Sequence, residues 1–570
     1  MILKALYDYY NRCGNLPKNG MELKQIGFII VLNTNGQFLR IEDRRIDKNR
    51  AQEFLVKKSV GRTSAPIANY LYDSCQYVFG YSEKDSEKAL KCFYIFKAKI
   101  EEIYNRHPDC RDLKAICNFY KNSRDEIIHA LKEDILWSEI ERSLNKKYSL
   151  FSFMIEGDTK IVAEKQELLS LEEENQASNN ETVCLVSGNK SKIVQTTTAT
   201  MIPGSQATAK LVSFQTKSGY DSYGKEQGGN APIGEEAEFA YTTALNHLLR
   251  NDSRNKFGVT NRTFVFWSSN NSNVGQQVED CIFCLFGFND SNKDNPNQGI
   301  EEVRKVFNAI YSGNLKTSSD DKFYILGLAP NSARIAVTYW AETPIKEFAE
   351  RINQHFDDMS IVDTRKEQTP YMGLRSILSA VTLGGKQSDA TPNLPEAVVK
   401  SIFQGLPYPQ SLYSSCIRRI RAEQSITITR VSIIKAYLNR LNDKEQKIEV
   451  MLDKENTNQG YLCGRLLAVL DKIQYDANKQ HSIKERYMNS ASSTPAAVFS
   501  TILNLSAHHS EKLNEGSNIF YEKVKREIID KISSNGFPSH LDLQDQGRFF
   551  VGYYHQMQDL YTRKDEKTEE

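Results

Sequence analysis

Two cysteines, Cys281-Ile-Phe-Cys284, have the spacing of a metal or redox pair. A structural zinc needs four ligands, and neither a second cysteine pair nor a His-x-x-x-His follows. The apolar neighbours Ile282, Phe283, Leu285 and Phe286 point instead to burial as free thiols. His508 and His509 are adjacent, so on a helix they diverge by about 100° and cannot share a metal as an i, i+4 pair does. The chain carries no histidine–aspartate nuclease pair, no Gly-x-Ser-x-Gly elbow and no phosphate loop ending in Gly-Lys-Ser or Gly-Lys-Thr. No motif for catalysis, metal or cofactor is therefore evident, and an active site assembled from distant residues, such as a nuclease built from dispersed carboxylates, stays open as a rival.

The polar segments are more telling. Ser222-Tyr-Gly-Lys-Glu-Gln-Gly-Gly-Asn-Ala-Pro-Ile-Gly234 precedes a helix predicted to begin near Gly234 and run through Ala237, Phe239, Ala244 and Leu248. Its glycines permit close backbone approach, and Lys225, Gln227 and Asn230 can donate to phosphates or base edges. The local sequence by itself favours a solvated turn capping that helix. Residues 40–62 hold eight basic against four acidic residues, including Lys57, Lys58 and Arg62, and Thr63, Ser64 and Asn69 come after them. Basic residues anchor phosphates, and an Asn can reach the minor groove, where A·T and G·C pairs differ by one exocyclic donor. A solvated charged face fits the charge equally well. Residues 417–440 carry six basic residues, among them Arg418, Arg419 and Arg421, and one acid. Ile417, Ile420, Ile433, Ile434 and Leu438 supply an apolar face, which predicts a helix with a positive outer surface, suited to a strand's phosphates or to an acidic protein patch.

These segments need a scaffold. The 570 residues suffice for two to four folding units. Lys and Arg total 73 against 72 Asp and Glu, so any nucleic-acid surface is local, and whole-chain charge cannot hold the protein on DNA or an anionic membrane. With 40% hydrophobic residues the chain is globular. Lys4 and Asp8 interrupt the N-terminus too early for a signal peptide, and no apolar run approaches the ~20 residues of a spanning helix. A cytoplasmic protein with reduced thiols is expected, without a disulfide framework.

The predicted fold class is α+β: mixed N-terminal and middle regions followed by an all-helical C-terminal region that ends in a small bundle. Region 1–205 opens with a strand pair turned at Asn35-Gly36, followed by helices between Ser86 and Leu150. An acidic stretch from Glu164 to Glu174 then leads into a polar connection through Thr200. Region 206–345 holds the glycine-rich loop and strand-like runs at 210–214, 263–267, 322–328 and 334–340. Region 346–450 holds the basic helix. Region 451–570 reads as a helical bundle with polar breaks near Asn489–Thr494 and Ser533–Pro538.

The chain resembles the large subunit of the type I-C (Dvulg subtype) CRISPR surveillance complex Cascade over nearly its whole length. The resemblance rests on Met1-Ile-Leu-Lys-Ala-Leu-Tyr-Asp-Tyr-Tyr10, Arg62-Thr-Ser-Ala-Pro66, Asn69-Tyr-Leu-Tyr-Asp73, Ser222-Tyr-Gly-Lys-Glu-Gln227, Asn230-Ala-Pro232, Phe239-Ala-Tyr-Thr-Thr-Ala-Leu-Asn246, Leu326-Gly-Leu-Ala-Pro-Asn331, Pro407-Tyr-Pro-Gln410 and Arg418-Arg-Ile-Arg-Ala422. Ile67-Ala68 before Asn69 depart from the pattern.

The resemblance implies a non-catalytic subunit that recognises the protospacer-adjacent motif in double-stranded DNA, promotes opening and R-loop formation, stabilises the displaced strand and helps recruit a helicase-nuclease. Implied partners are the guide CRISPR RNA, double-stranded target DNA, the backbone and guide-RNA-processing subunits, the small subunit and the helicase-nuclease. On this likeness Asn69 reads the motif while Lys57, Lys58 and Arg62 hold phosphates. Lys225, Gln227 and Asn230 form the loop at the duplex fork, and Arg418, Arg419 and Arg421 guide the displaced strand. The C-terminal region resembles the small subunit, which this subtype can make from an internal start; Met451 is the expected start, with Met372 and Met488 as alternatives. A scaffold without DNA contact is the remaining rival.

Overall fold

The computed structural model describes residues 1–60, 62, 65–82, 86–169, 181–214, 221, 223–286, 298–318, 320–364, 373–441 and 447–565. The fold is α+β with a helical C-terminal region. It divides into two compact units, one of Cys13–Ile193 with Pro232–Thr243 and one of Met1–Arg12, Val194–Ala231 and Ala244–Glu570.

In the first of these units Phe28–Leu32 pairs antiparallel with Phe38–Asp43 and parallel with Leu150–Ile155, and Tyr72–Ser74 closes the far edge. Every residue of Phe28-Ile-Ile-Val-Leu32 is buried, the pattern of a strand covered on both faces. The turn at Asn35–Gly36 forms as its sequence predicts: the Asn33 side chain accepts from the Asn35 and Gln37 amides. Gly36 is required there, with φ +87°, and a Cβ would lie 2.3 Å from the Ala115 carbonyl of helix Arg111–Phe119. Helices Ser86–Arg106 and Arg124–Lys132 flank that helix in sequence, the latter opened by a Ser123–Glu126 capping box. A separate ladder pairs Met21–Gln25 with Glu53–Lys57.

The polar connection is not featureless. Gln166–Leu169 is helical, and Glu181–Val183 pairs with Lys190–Lys192; residues 170–180 lie outside the described part. The turn between the two short strands is organised by Cys184, whose sulfur lies 3.4 Å from the Val186 amide and 3.2 Å from that of Gly234.

The second unit holds a four-stranded antiparallel sheet in the order Arg334–Pro344, Lys322–Asn331, Arg262–Ser268, Lys256–Val259. The run 210–214, expected as a strand, makes a single bridge from Lys210 to Arg334. Its Val212 carbonyl accepts from the Thr197 hydroxyl, so a side chain satisfies what a ladder would otherwise have bonded. Cys281 and Cys284 lie on helix Asn273–Phe286, and burial pushes the Cys281 thiol up to about 12, which fits an inert core residue. Among the described residues no group of three or more His, Cys, Asp or Glu side chains could hold a metal, and no helix is long and apolar enough to cross a membrane.

Helices run on from Leu374–Val381 to Leu543–Asp565. The bundle centres on Gln459–Asn478, which is buried along nearly its whole length. It packs closely on Leu543–Asp565 through glycines: a Cβ at Gly464 would lie 1.9 Å from the Phe549 carbonyl. The bundle's turns fall after Ala491, where the next helix starts at Pro495, and between Ile529 and Leu543.

Candidate nucleic-acid interface

Lys57 ends the Glu53–Lys57 strand opposite Met21, and Lys58 continues the chain out of the ladder. The turn beyond is anchored by Glu22, whose carboxylate accepts from the Ser59 amide at 2.8 Å and lies 3.1 Å from the Tyr72 hydroxyl. Burial works to raise the pKa of Glu22, but Lys24 at 3.3 Å and the Ser59 bonds overcome it, so the carboxyl stays below its ordinary range.

The next segment is clasped by Asp73, which is fully buried. Its carboxylate accepts from the Asn69 amide at 2.9 Å and pairs with Arg62. Burial raises its pKa despite these partners. Arg62 also donates to the Ile67 carbonyl at 2.8 Å and lies 4.0 Å from the centre of the Tyr77 ring. Asn69 is 5% exposed, and its side-chain oxygen accepts from the Val60 amide at 3.0 Å. Between Asn69 and Asp73 the chain bends at Leu71, a buried non-glycine residue at φ +61°, whose carbonyl accepts from the Ser152 hydroxyl. Asn69 and Arg62 thus tie the base of the 60–69 segment, with Asn69 facing inward. Thr63 and Ser64 lie outside the described residues.

Beside this clasp is a cavity of about 640 Å³ lined by Lys57, Lys58 and Lys99 together with Met21, Ile67 and Tyr70. The Lys57 ammonium lies 4.3 Å from the Tyr70 ring centre, and that of Lys58 5.5 Å from Phe239. Glu102, also lining, is 3.6 Å from Lys99, so three cations face one acid. Tyr70 and Phe239 are buried, so what the cavity offers is phosphate attraction from cations held over aromatic rings. Lys99 and Tyr70 were not singled out from sequence. Lys99 comes from helix Ser86–Arg106, and only the fold brings it to Lys57.

Lys225, Gln227 and Asn230 are gathered in one short loop. Gln227–Asn230 forms a 3₁₀ turn, with Lys225 and Asn230 exposed and Gln227 half-buried. Asp221 ties it, accepting from the Gln227 amide and the Asn230 side chain, both at 3.2 Å. Helix Glu235–Leu248 begins where the sequence predicts, and the Gly234 amide donates to Cys184. Burial opposes ionisation of that thiol, but the amides of Gly234, Ser187 and Val186 bring its pKa below the usual value.

Arg418, Arg419 and Arg421 share helix Gln410–Glu423 but not one environment. Arg418 is exposed. Arg419 lies 3.5 Å from Glu423, and Arg421 donates to the Asn489 carbonyl at 3.2 Å. The rest of the basic run turns inward. Arg430 pairs with Glu423 and donates to the Ala380 and Ser425 carbonyls, both at 3.0 Å, and the Lys435 ammonium donates to the Asp357 and Asp358 carbonyls.

A family likeness over nearly the whole chain accompanies this mixture of one cationic cleft, one tethered glycine-rich loop and an arginine helix with only Arg418 fully at the surface. Residues 6–561 match the model of the CRISPR-associated protein (Cas_Csd1) family, and the chain belongs to that family. It is therefore a large subunit of the Cascade type. No match was found among the curated proteins.

Proposed function

We propose that this chain is the non-catalytic large subunit of a type I-C guide-RNA-directed complex, and that it recognises the protospacer-adjacent motif in double-stranded DNA. The observation that carries the reading is the cleft formed by Lys57, Lys58, Lys99 and Tyr70 beside the clasped 60–69 segment. In such complexes guide pairing reads the target, so the protein needs only phosphate anchors and a short surface that senses the motif. Lys57 and Lys58 supply the anchors. Asn69 and Arg62 act from the base, by fixing the segment that meets the duplex.

The loop of Lys225, Gln227 and Asn230 promotes opening of the duplex and R-loop formation. Arg418 is the exposed member of the basic helix and serves the displaced strand, and the assembled subunit helps to recruit the helicase-nuclease. Guide CRISPR RNA, the backbone and guide-RNA-processing subunits and the small subunit complete the set of partners, and the working place is the cytoplasm.

The test is binding of motif-bearing and motif-scrambled duplexes by the guide-loaded complex with and without this subunit. Discrimination should vanish when it is omitted; a complex that finds and unwinds motif-bearing targets equally well without it would refute the reading. Lys57→Ala combined with Lys58→Ala should reduce the slope of log affinity against log salt by about 1.8, two phosphate contacts' worth, on both duplexes alike.

A further inference from the structure

The glycine-rich loop carries a side chain to which motif recognition and duplex opening give no task. Tyr223 is 99% exposed, more than any other aromatic residue described. It sits at φ +54°, in the left-handed region that a non-glycine residue enters at a cost, with Gly224 at +71° and Gln227 at +40° after it. The turn that holds it is anchored below the ring. Asp221 accepts from Gln227 and Asn230, and the 3₁₀ turn lies so close to the chain at Val194 that a Cβ on Gly228 would come within 2.0 Å of the Val194 carbonyl. The base of the loop is therefore fixed while its tip presents a bare ring. The backbone that presents the ring is thereby held in place, which lowers the cost of offering it to an external partner.

We infer that Tyr223 is a stacking platform for one unpaired base at the edge of an opened duplex, an inference that rests on the nucleic-acid reading of this loop. The ring's surroundings select that partner. The described loop residues near it are Lys225, Glu226, Gln227 and Asn230, all polar. Among the described residues of the loop a protein partner would find a single ring to bury, far less than a stable interface requires. A base needs only one π-face, which every base has, so the contact tolerates any sequence. Lys225 and the exposed Glu226 oppose one another in charge, so the tip is no phosphate track and stacking is what it can offer.

The test uses the full chain and forked DNA carrying 2-aminopurine at successive positions of the unpaired arm, beside a fully paired duplex. One position should be quenched on binding. Tyr223→Ala should abolish that quenching and weaken fork binding about tenfold, with the melting temperature unchanged because the ring is 99% exposed and fills no core space among the described residues. Tyr223→Phe and Tyr223→Trp should retain both signals. If Tyr223→Ala keeps the quenching and the affinity while Lys225→Ala weakens fork binding, stacking is overturned and the loop's contact with nucleic acid stands. Equal binding of fork and duplex by the unaltered chain, unaffected by Lys225→Ala, overturns both.

Discussion

The two basic segments look alike as strings of letters and behave differently in the fold. In residues 40–62 five arginines pair with Glu42, Asp43, Asp47 and Asp73, while Lys57 and Lys58 line a cleft; residues 417–440 send most of their cations into ion pairs and carbonyl contacts inside a helical unit. The difference lies in the course of the backbone at each cation. Lys57 ends a two-stranded ladder and Lys58 follows as the chain leaves it, and both line the cavity. Arg430 and Lys435 lie on helix Ile428–Leu441, most of which is buried, where an unpaired cation would be costly and each head has found oxygen partners. Local charge surplus thus does not by itself say which cations line a cavity and which are drawn into the core.

The largest expected effect tests the inward half of this contrast. Arg430→Ala leaves the Ala380 and Ser425 carbonyls without their donor and Glu423 with Arg419 alone, and at about 1–3 kcal/mol per stranded carbonyl it should destabilise the protein by about 2–5 kcal/mol in urea unfolding, with DNA affinity of the folded fraction unchanged. Arg418→Ala, on the exposed face of the neighbouring helix, should stay within about 0.5 kcal/mol. Equal losses at both positions would erase the contrast.

Asn69→Ala is next. It strips the Val60 amide of its acceptor and should cost about 1–3 kcal/mol. Through the loosened 60–69 segment it should also weaken discrimination between motif-bearing and scrambled duplexes. A stable variant with full discrimination would remove Asn69 from both roles.

A pH effect, of about 2 kcal/mol per histidine between pH 7 and pH 5, is confined to the helical unit. Burial, aided by nearby Arg440, lowers the pKa of His355 from 6.5 to about 3, and burial with Lys435 does the same to His555. Both are neutral in the fold and take up protons on unfolding below pH 6.5, so stability should fall as the pH drops from there toward 3. Urea midpoints measured at pH 7 and pH 5 should diverge, and His355→Gln should narrow the gap.

Much of the scaffold was legible in the sequence because its signals are local. Asn35-Gly36 gave the hairpin, 3.6-residue periodicity gave the helices after Ser86 and from Pro395 onward, and apolar neighbours gave the fate of Cys281. The site was less legible because its geometry is assembled from distant parts. Lys99 reaches the cleft from a helix begun at Ser86. Asn69 faces inward because Asp73, four residues on across the left-handed bend at Leu71, captures its amide. The spacing of Asn69 and Asp73 was visible, but the bend that makes it a clasp was not. Arg421 is engaged by Asn489, which periodicity within its own helix could not foresee.

Photo-crosslinking tests the central claim most directly. A motif-bearing duplex with a photoreactive base at each motif position is bound to the guide-loaded complex, irradiated and mapped by mass spectrometry. The account predicts attachment within residues 57–70, lost when the motif is scrambled. Attachment confined to other segments, with none in 57–70, would contradict it.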